Sequence, residues 1–468
     1  MTKIYKEDSH KLKPFLIDSH CHLDMDAFDN DRREVIKRAQ DACVKHIINI
    51  GSDRKGNIKS LKICHDYPEI YTSVGIHPHD AKTLNEELYA EIKEWLKQPK
   101  VVAIGEIGLD YHYMHSPRET QIDAFKKQIA IAKNSGLPII VHSREAKNDT
   151  LQLLEKEATK ISGVLHCFSG DMDMAKKAME LGFYISIAGP VTFSNAKNLR
   201  EVAKFIPDEY LLIETDAPYL SPVPMRGKRN EPSFVKYTAQ AIADLRGVGI
   251  SDIARITTFN AMKLFKIGQI PDKGEIAYKI RDSLYLNITN RCTNRCGFCI
   301  RFETDYVKGH NLRLEKEPSA GEVIKSIGNP NLYKEIVFCG LGEPLLRLDV
   351  VKEVSAWVKQ KGGKIRINTN GHGNLIHGRN ILPELQGIVD SLSISLDAED
   401  EKKYEDICKP VYKNAFHSVI SFIKEAKRYI PEVKVTVVKL PEIDIEKCRA
   451  IAEELGVELR VREFKVVG

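Results

Sequence analysis

The strongest constraint on the fold is an alternation of short apolar runs and helical stretches between Phe15 and Tyr219. Each run is rich in β-branched residues and ends in polar, chemically reactive side chains. Such runs are typical of parallel strands buried on both faces, and the stretches between them, such as Arg118–Ser135, have helical spacing. Eight units of this kind predict an α/β fold, a (β/α)8 TIM barrel. The predicted strands are Phe15–Ile17, His46–Ile50, Tyr71–Ile76, Val101–Ile104, Pro138–Val141, Gly163–Leu165, Phe183–Ile187 and Tyr210–Ile213.

A second series of strands and helices begins at Ser283. It has six strand candidates, which is too few for a second eight-stranded barrel, so it predicts a partial, open (β/α)6 barrel. Residues 268–281 lack periodicity and contain Pro271 and Gly274, which is typical of a linker. We therefore predict a barrel over residues 1–267, a linker over 268–281 and a second domain over 282–468. The six candidates are Leu284–Ile288, Ile336–Phe338, Lys364–Ile367, Ser391–Leu396, Val433–Val438 and Val457–Val461.

Composition and charge exclude several classes of protein. With 43% hydrophobic and 29% charged residues, the chain is globular rather than disordered. No apolar run approaches the roughly 18 residues that span a bilayer, and Met1–Lys13 shows no signal-peptide pattern. These features predict a cytoplasmic protein without a membrane partner. The net charge of +5 suits an anionic substrate but does not by itself identify a nucleic-acid binder.

Metal-ligating side chains recur where the predicted strands of the first barrel end, which is where barrel enzymes carry their chemistry. His20 and His22 are two residues apart on one strand, so their side chains point the same way and can hold one metal ion. The full set is too large for one tetrahedral zinc and fits two divalent ions, Mg²⁺, Mn²⁺ or Zn²⁺, about 3.5–4 Å apart. It comprises four histidines and two carboxylates: His20, His22, Glu106, His142, His166 and Asp216.

Two of these residues have predicted catalytic roles. Glu106 is the most central carboxylate and is predicted to bridge the ions, while Asp216 would ligate the first ion and orient the attacking water. Downstream, Arg226, Lys228 and Arg229 are three cations within four residues and are predicted to bind substrate phosphate, with a solvated surface loop as the alternative. Two aromatic residues, Phe168 and Phe193, either stack on bases or pack in the core.

The segments DSHCHLD, VGIHPHD, GEIGLDY, VHSR, HCFSG and ETDAPYL resemble the TatD-type deoxyribonuclease family of the amidohydrolase superfamily. The resemblance runs from about Pro14 to Phe265. It implies hydrolysis of phosphodiester bonds, typically from a DNA 3′ end. It also implies that the six residues above are metal ligands and that His77 is a catalytic residue facing the substrate.

Three of the ten cysteines form a tight group after the first strand of the second domain. Cys292, Cys296 and Cys299 would leave one iron of a 4Fe–4S cluster open to bind a substrate or cofactor. A structural zinc ion would require a fourth ligand, for which His310 is the nearest candidate, so zinc remains an alternative. The dispersed cysteines are predicted to be ordinary buried or incidental thiols; they are Cys339, Cys408 and Cys448.

This triplet, with Phe298 before its third cysteine, resembles the radical S-adenosylmethionine (SAM) superfamily. The segment CGLGEP after the next strand resembles the motif that holds the methionine amino group, and two later strand ends lie where relatives contact the ribose and carboxylate. The resemblance implies reductive cleavage of SAM to a 5′-deoxyadenosyl radical, with an electron donor such as flavodoxin or ferredoxin as partner. The cofactor-binding residues it implies are Gly340, Gly342, Glu343, Asn370 and Ser395.

The whole chain resembles TatD-family proteins that carry an associated radical SAM domain. This pairing favours a bifunctional enzyme, a metal-dependent phosphodiesterase acting on DNA or nucleotides joined to a radical enzyme of unknown substrate. One alternative is an amidase or deacylase acting on a substrate or product of the radical domain, since the same superfamily also cleaves C–N and ester bonds. Another is that one barrel is a catalytically silent binding module. Every predicted ligand position in both halves carries a suitable residue, which argues against this alternative.

Overall fold

A computed structural model describes residues 15–270 and 272–464 of the chain. The chain divides into two compact units, residues 1–270 and 271–468. Within the described residues, none of the helices combines the length and apolarity needed to traverse a lipid bilayer.

The first unit is a barrel of eight parallel strands, each hydrogen-bonded to the next in chain order. A parallel bridge between Cys21 and Ala217 links the last strand back to the first, so the barrel is nearly closed. The predicted TIM barrel is therefore confirmed. Its strands are β1 Leu16–Cys21, β2 Val44–Ile50, β3 Ile70–Val74, β4 Val101–Asp110, β5 Ile139–Arg144, β6 Gly163–Leu165, β7 Phe183–Ile187 and β8 Leu211–Ile213.

Local sequence signals define the ends of several barrel helices. Asp53, Asn85 and Asp171 each precede a helix and accept a hydrogen bond from a backbone N–H of its first turn. Gly136 ends the longest helix in a left-handed conformation that glycine adopts without strain. The helices are α1 Arg32–Asp41, α2 Arg54–Asp66, α3 Glu86–Trp95, α4 Arg118–Ser135, α5 Lys147–Glu157, α6 Met172–Glu180, α7 Lys197–Phe205, α8 Val235–Arg246 and α9 Ile250–Phe265.

Apolar packing closes the amino-terminal end of this barrel. Ile17, Ile48 and Ile140 from the strands form one buried cluster with Leu264 and Phe265 at the end of α9. Buried polar residues are concentrated instead towards the carboxyl ends of the strands, where the loops begin. The site chemistry is thus confined to one end of the barrel, as in other barrels of this type.

The second unit has a sheet of six parallel strands and one antiparallel edge strand, in the order β17-β16-β15-β14-β13-β10-β9. The predicted partial barrel is confirmed, with its six strands as β10 and β13 to β17. Part of the predicted linker forms the edge strand β9 instead of irregular chain, while the limits of the predicted domains stay a prediction. The strands are β9 Ala277–Ile280, β10 Ser283–Leu286, β11 Tyr306–Val307, β12 His310–Asn311, β13 Ile336–Phe338, β14 Ile365–Thr369, β15 Ser391–Ser395, β16 Glu432–Lys439 and β17 Glu458–Glu463.

Helices cover one face of this second sheet and leave the other face partly open. Along β15, Leu392 and Ile394 are buried, whereas Ser393 and Ser395 are partly exposed, as the two-residue period of a strand requires. A capping box of Ser319 and Glu322 begins the first helix. The helices are α10 Ala320–Ile327, α11 Leu348–Gln360, α12 Gly373–His377, α13 Leu382–Leu385, α14 Glu401–Cys408, α15 Ala415–Ala426 and α16 Ile445–Glu454.

Candidate metal centre and cofactor site

The end of β1 places two buried histidines against two carboxylates. The Nε2 atoms of His20 and His22 lie 3.3 Å apart. Each lies 3.4–3.7 Å from Oε2 of Glu106 and from Oδ1 of Asp216. Nδ1 of His22 donates to the carbonyl of Ile50 at 3.1 Å, so its Nε2 faces the two carboxylates.

The other oxygen of Glu106 faces a second group of histidines. Oε1 lies 2.8 Å from Nδ1 of His142, 2.7 Å from Nε2 of His166 and 3.3 Å from Nε2 of His77. Glu106 therefore presents one oxygen to each of two groups, which is the arrangement that a carboxylate bridging two ions requires. The structure brings all six predicted ligands together, and their role as ligands stays a prediction.

The spacing and chemistry of these side chains fit divalent metal ions. Donor atoms that surround one tetrahedral ion at 2.0–2.2 Å lie about 3.4 Å from one another. The distances around His20 and His22 match this spacing. Glu106 is 3% exposed, and a carboxylate so deeply buried is costly unless it is paired or coordinates a metal.

The protonation of these groups is strongly coupled. Burial favours a neutral Glu106, but the charge of His166 and the hydrogen bonds from His142 and His166 prevail and hold its pKa well below the usual range. Burial also opposes a charged His22, yet the hydrogen bond to Asp216 raises the pKa of His22 to about 9. Burial and the nearby His166 lower the pKa of His20. The carboxylates of the centre, Glu106 and Asp216, are therefore held ionised, which is the form that binds cations.

The three clustered cysteines lie on the loop after β10 and are partly exposed. Sγ of Cys292 accepts hydrogen bonds from the backbone N–H of Asn294 at 3.5 Å and from Nδ2 of Asn370 at 3.7 Å. In residues 15–270 and 272–464, no three metal-ligating atoms that lie within 4.8 Å of one another include these thiols.

His310, the candidate fourth zinc ligand, is engaged elsewhere. Its Nδ1 lies 2.8 Å from Oε1 of Glu275, and its Nε2 lies 3.2 Å from the carbonyl oxygen of Lys279. Both ring nitrogens are thus committed within the β11–β12 hairpin and its neighbour β9. The structure offers no support for the zinc alternative.

Two glycines and a buried glutamate follow β13 beside the cysteine loop. A Cβ atom on Gly340 would clash with Asn287, and one on Gly342 would clash with the carbonyl of Thr289, so only glycine permits this close approach. The loop after β13 therefore lies in close contact with the start of the cysteine loop.

The carboxylate of Glu343 is 3% exposed and satisfied by three donors. It accepts hydrogen bonds from the N–H of Leu345 at 3.0 Å, from Oγ1 of Thr369 at 2.8 Å and from the N–H of Asn370 at 2.7 Å. Burial nevertheless raises the pKa of Glu343 to about 7. These donors fix the carboxyl group between the loops that follow β13 and β14, and its role in binding a cofactor stays a prediction.

Two family models match the chain. The model of TatD-related DNases matches residues 17–266, which is more than half of the chain, and the radical SAM superfamily model matches residues 286–455. The chain belongs to the TatD-related DNase family. Its second unit carries a radical SAM domain, so the chain combines a metal-dependent hydrolase with a radical enzyme.

Similar proteins match the first half of the chain. The metal-dependent hydrolase YabD of Bacillus subtilis is 48% identical over 253 residues, which make up 54% of this chain and 99% of YabD. The 3′-5′ ssDNA/RNA exonuclease TatD of Erwinia tasmaniensis is 34% identical over 259 residues, covering 54% of this chain and 100% of that protein. The crystal structure of YjjV, a TatD homolog from Escherichia coli K12, superposes with a TM-score of 0.53 at 29% identity and covers 55% of this chain and 100% of YjjV.

Two further carboxylates of the TatD-family barrel lie behind the metal centre and were missed by sequence reasoning. Oδ2 of Asp110 accepts hydrogen bonds from Nε2 of His142 at 3.1 Å and from Nε2 of His79 at 3.0 Å. Oε1 of Glu214 lies 3.5 Å from Nδ1 of His166. Metal-binding histidines commonly donate their second N–H to a carboxylate, so both residues can orient the proposed ligands. The position of both residues at strand ends was the sequence feature that could have identified them.

The three predicted phosphate-binding cations have different environments. Arg229 forms two hydrogen bonds to Asp31, at 2.9 and 2.7 Å, so its guanidinium is engaged. The guanidinium of Arg226 lies 4.2 Å from the ring centroid of Phe193 and is exposed, as is Lys228. In the described part of the chain, neither of these two cations pairs with a carboxylate. Only Arg226 and Lys228 are therefore open to a substrate phosphate.

The two aromatic residues considered for base stacking have different environments. Phe168 is 4% exposed and packs in the barrel core, so it has the core-packing role and not the base-stacking role. One face of Phe193 is covered by Arg226. Phe193 is partly exposed, so stacking of a base on its other face stays a prediction.

A buried hydrogen-bond network supports the radical SAM cysteine loop and could not be seen in the sequence. Nδ2 of Asn370 donates to Oγ1 of Thr293 at 2.8 Å, and Thr293 lies 2.9 Å from Nδ1 of His372. Nε2 of His372 lies 3.0 Å from the hydroxyl of Tyr404. Burial lowers the pKa of His372 to about 4, so it acts here as a neutral hydrogen-bonding group. Ser395, the last predicted cofactor residue, is partly exposed at the end of β15.

Of the three cysteines predicted to be incidental, Cys408 lies against the cysteine loop. The carbonyls of Ile407 and Cys408 accept hydrogen bonds from the N–H groups of Gly297 at 3.0 Å and Arg295 at 2.8 Å. Contact with Cys296 and burial both raise the pKa of the Cys408 thiol, which keeps it protonated. Cys408 is thus a neighbour of the proposed cluster, while Cys448 is a buried residue of α16 and Cys339 is partly exposed after β13.

Proposed function

We propose that the first unit hydrolyses phosphodiester bonds of nucleic acid from the 3′ end with two divalent metal ions. The observation that carries this proposal is Glu106, whose two oxygens face two separate groups of histidines. Two ions held in this way supply an activated water and neutralise charge on the phosphodiester. The name of the exonuclease relative from Erwinia tasmaniensis supports digestion from the 3′ end and nucleic acid as the substrate.

The side chains divide the work between them. His20, His22 and Asp216 would hold one ion and His142 and His166 the other, with Glu106 shared between the two groups and Asp216 also orienting the attacking water. His77 is a catalytic residue that faces the substrate: its Nδ1 accepts a hydrogen bond from the N–H of His79 at 3.1 Å, so its proton is on Nε2. That N–H lies 3.3 Å from Oε1 of Glu106 and would be available to a phosphate oxygen once this carboxylate binds the ions. Arg226 and Lys228 bind the flanking phosphate.

The experiment is digestion of single-stranded DNA and RNA labelled at either end, with Mg²⁺, Mn²⁺ or Zn²⁺, all of which suit histidine and carboxylate ligands. We expect mononucleotides to be released from the 3′ label first, and release to be lost in Glu106→Gln. Failure to release nucleotides with any of the three metals would refute the proposal. The exposed Arg226 and Lys228 favour this activity over an amidase or deacylase of neutral substrates, which would not need them.

For the second unit, we propose that Cys292, Cys296 and Cys299 hold a 4Fe–4S cluster. SAM would lie against Gly340, Gly342 and Glu343, with Asn370 and Ser395 contacting its ribose or carboxylate. The bound cluster supplies one electron for SAM cleavage, delivered by a donor of the flavodoxin or ferredoxin type. The grouping of the three cysteines on the loop after β10 and the buried, donor-lined Glu343 support the assignment. Anaerobic reconstitution should give cluster absorbance and, with a reductant, 5′-deoxyadenosine; no cluster after reconstitution would refute it.

We further propose that both sites serve one cytoplasmic nucleic-acid or nucleotide pathway. The pairing of a phosphodiesterase with an adenosyl-radical enzyme on one chain supports this. Mass spectrometry of nucleotides and nucleic acid incubated with reduced holoenzyme should reveal a modified product, and its absence would count against a shared pathway.

A further inference from the structure

The loop between β4 and α4 carries four consecutive exposed residues, His112–His115, close to the metal centre. Tyr113 is 51% exposed and Met114 is 46% exposed. Both flanks of the loop are anchored: the Tyr111 hydroxyl donates to a carboxylate of α5 at 2.6 Å, and the buried Ser116 donates to a backbone carbonyl at 2.7 Å. The exposed side chains are therefore displayed on a fixed segment.

Three of the side chains around this loop form a cluster that we call the Tyr113 platform, consisting of Tyr113, His115 and Arg144. The rings of Tyr113 and His115 are nearly parallel, with an interplanar angle of 9° and centroids 5.6 Å apart. The guanidinium of Arg144 lies 4.7 Å from the centroid of Tyr113. The ring of His79 meets both aromatic rings edge-on and supports them from the metal side.

The platform is connected to the metal centre by two short links. Oδ1 of Asp110 accepts a hydrogen bond from the N–H of Tyr113 at 2.9 Å, while Oδ2 of the same carboxylate accepts one from His142. Arg144 lies on β5, two residues after His142. The platform thus borders the candidate metal centre through Asp110 and β5.

Arg144 also differs from the cations around it. Arg118 and Lys147 are paired with Asp149 and Asp171, at 2.6 and 2.8 Å. Among the residues that the structure describes, Arg144 has no carboxylate partner. It lines a cavity of about 860 Å³ at the carboxyl ends of β5 and β6, which is within the size range of ligand sites. An exposed aromatic pair beside an unpaired arginine is suited to a base and its phosphate.

We propose that Tyr113 and His115 stack a nucleobase next to the cleaved phosphodiester and that Arg144 binds the adjacent phosphate. This rests on the proposed function and adds to it the requirement for an unpaired base. Bases in a duplex are already stacked, so the platform selects single strands. Stacking on an aromatic side chain strengthens binding roughly 5- to 150-fold per base.

The test compares two single-stranded oligonucleotides of equal length, one with bases and one with abasic sites throughout. With wild-type protein we expect KM to be higher for the abasic strand. Tyr113→Ala should raise KM for the base-bearing strand by at least about 5-fold and leave the abasic strand unchanged. Tyr113→Phe should behave as wild type, and Arg144→Gln should raise KM for both strands and reduce its salt dependence. Thermal unfolding and metal content of each variant verify its folding.

Equal loss on both strands in Tyr113→Ala, or an unchanged KM on both, would overturn the proposal. If wild-type protein cleaves neither strand, the proposed function is refuted. The role of the Tyr113 platform is then tested by measuring the binding of the two strands. Fluorescence anisotropy with phosphorothioate strands should show the same dependence on bases and on Tyr113. Wild type and Tyr113→Ala binding the base-bearing strand equally would overturn it.

Discussion

Nε2 of His142 donates a hydrogen bond of 3.1 Å to Asp110, while Nδ1 of the same ring lies 2.8 Å from Glu106. A carboxylate in this position fixes the tautomer of a metal-binding imidazole and makes it more basic. Asp110→Asn keeps the size of the side chain but removes the charge. We expect metal affinity to fall by about 10–100-fold, with most activity regained at saturating metal. Metal titration followed by phosphodiesterase assays measures both quantities.

A matched control for this substitution is Asp123→Asn. Asp123 lies on the surface of α4 and pairs with Lys127 at 3.1 Å, away from the centre. It should leave metal affinity unchanged. Wild-type metal affinity in Asp110→Asn would show that Asp110 only supports the fold.

The different environments of Arg226 and Arg229 give opposite expectations for the two substitutions. Arg226→Gln should raise KM for nucleic acid because its guanidinium has no acidic partner to release. Arg229→Gln breaks a half-exposed pair with Asp31, so it should cost only about 0.5–1 kcal/mol of stability and leave KM unchanged. Steady-state kinetics and chemical denaturation separate the two effects. An equal rise in KM for both variants would restore the prediction that Arg229 binds substrate.

The cysteines of the second unit allow a direct comparison within one domain. Cys292→Ser should abolish cluster absorbance after anaerobic reconstitution, because three thiolates are the smallest set that holds the cluster. Cys339→Ser should retain iron and sulfide at wild-type stoichiometry. Cluster loss in both variants would instead indicate that Cys339 belongs to the ligand set.

The barrel strands and the six candidate ligands could be predicted because both are local signals. Buried parallel strands are continuous apolar runs, and each ligand stands where such a run ends, as His20 and Asp216 do. The strand Ala277–Ile280 was missed because four residues after a Pro-Gly-containing stretch carry too little periodicity to identify a strand.

The remaining contacts depend on long-range geometry. Asp110 meets His142 only because β4 and β5 pair in the register that sets Gly108 opposite His142. The pair of Arg229 with Asp31 joins residues 198 positions apart, and no local pattern encodes it. Sequence therefore predicts which residue types gather at a strand end more readily than which partner each will bind.

The last prediction concerns pH. Burial raises the pKa of Glu343 to about 7, so its carboxylate, which we propose binds the SAM ammonium, forms only as pH rises through that value. The α-amino group itself loses its proton above about pH 8. Affinity for SAM should therefore be greatest between about pH 7 and 8 and fall up to about tenfold per unit below pH 7. Equilibrium dialysis on reconstituted holoenzyme from pH 5.5 to 9 measures this profile.

Glu343→Gln is the matched control, since it keeps the acceptor oxygen and cannot ionise. Its affinity should be lower at pH 7.5 and should no longer fall between pH 7 and 5.5, while the decline above pH 8 remains because it belongs to the ligand. If the affinity of Glu343→Gln for SAM still fell between pH 7 and 5.5, the titration of another group would cause that fall. The buried carboxyl that accepts from Thr369 and Asn370 would then serve only to join two loops.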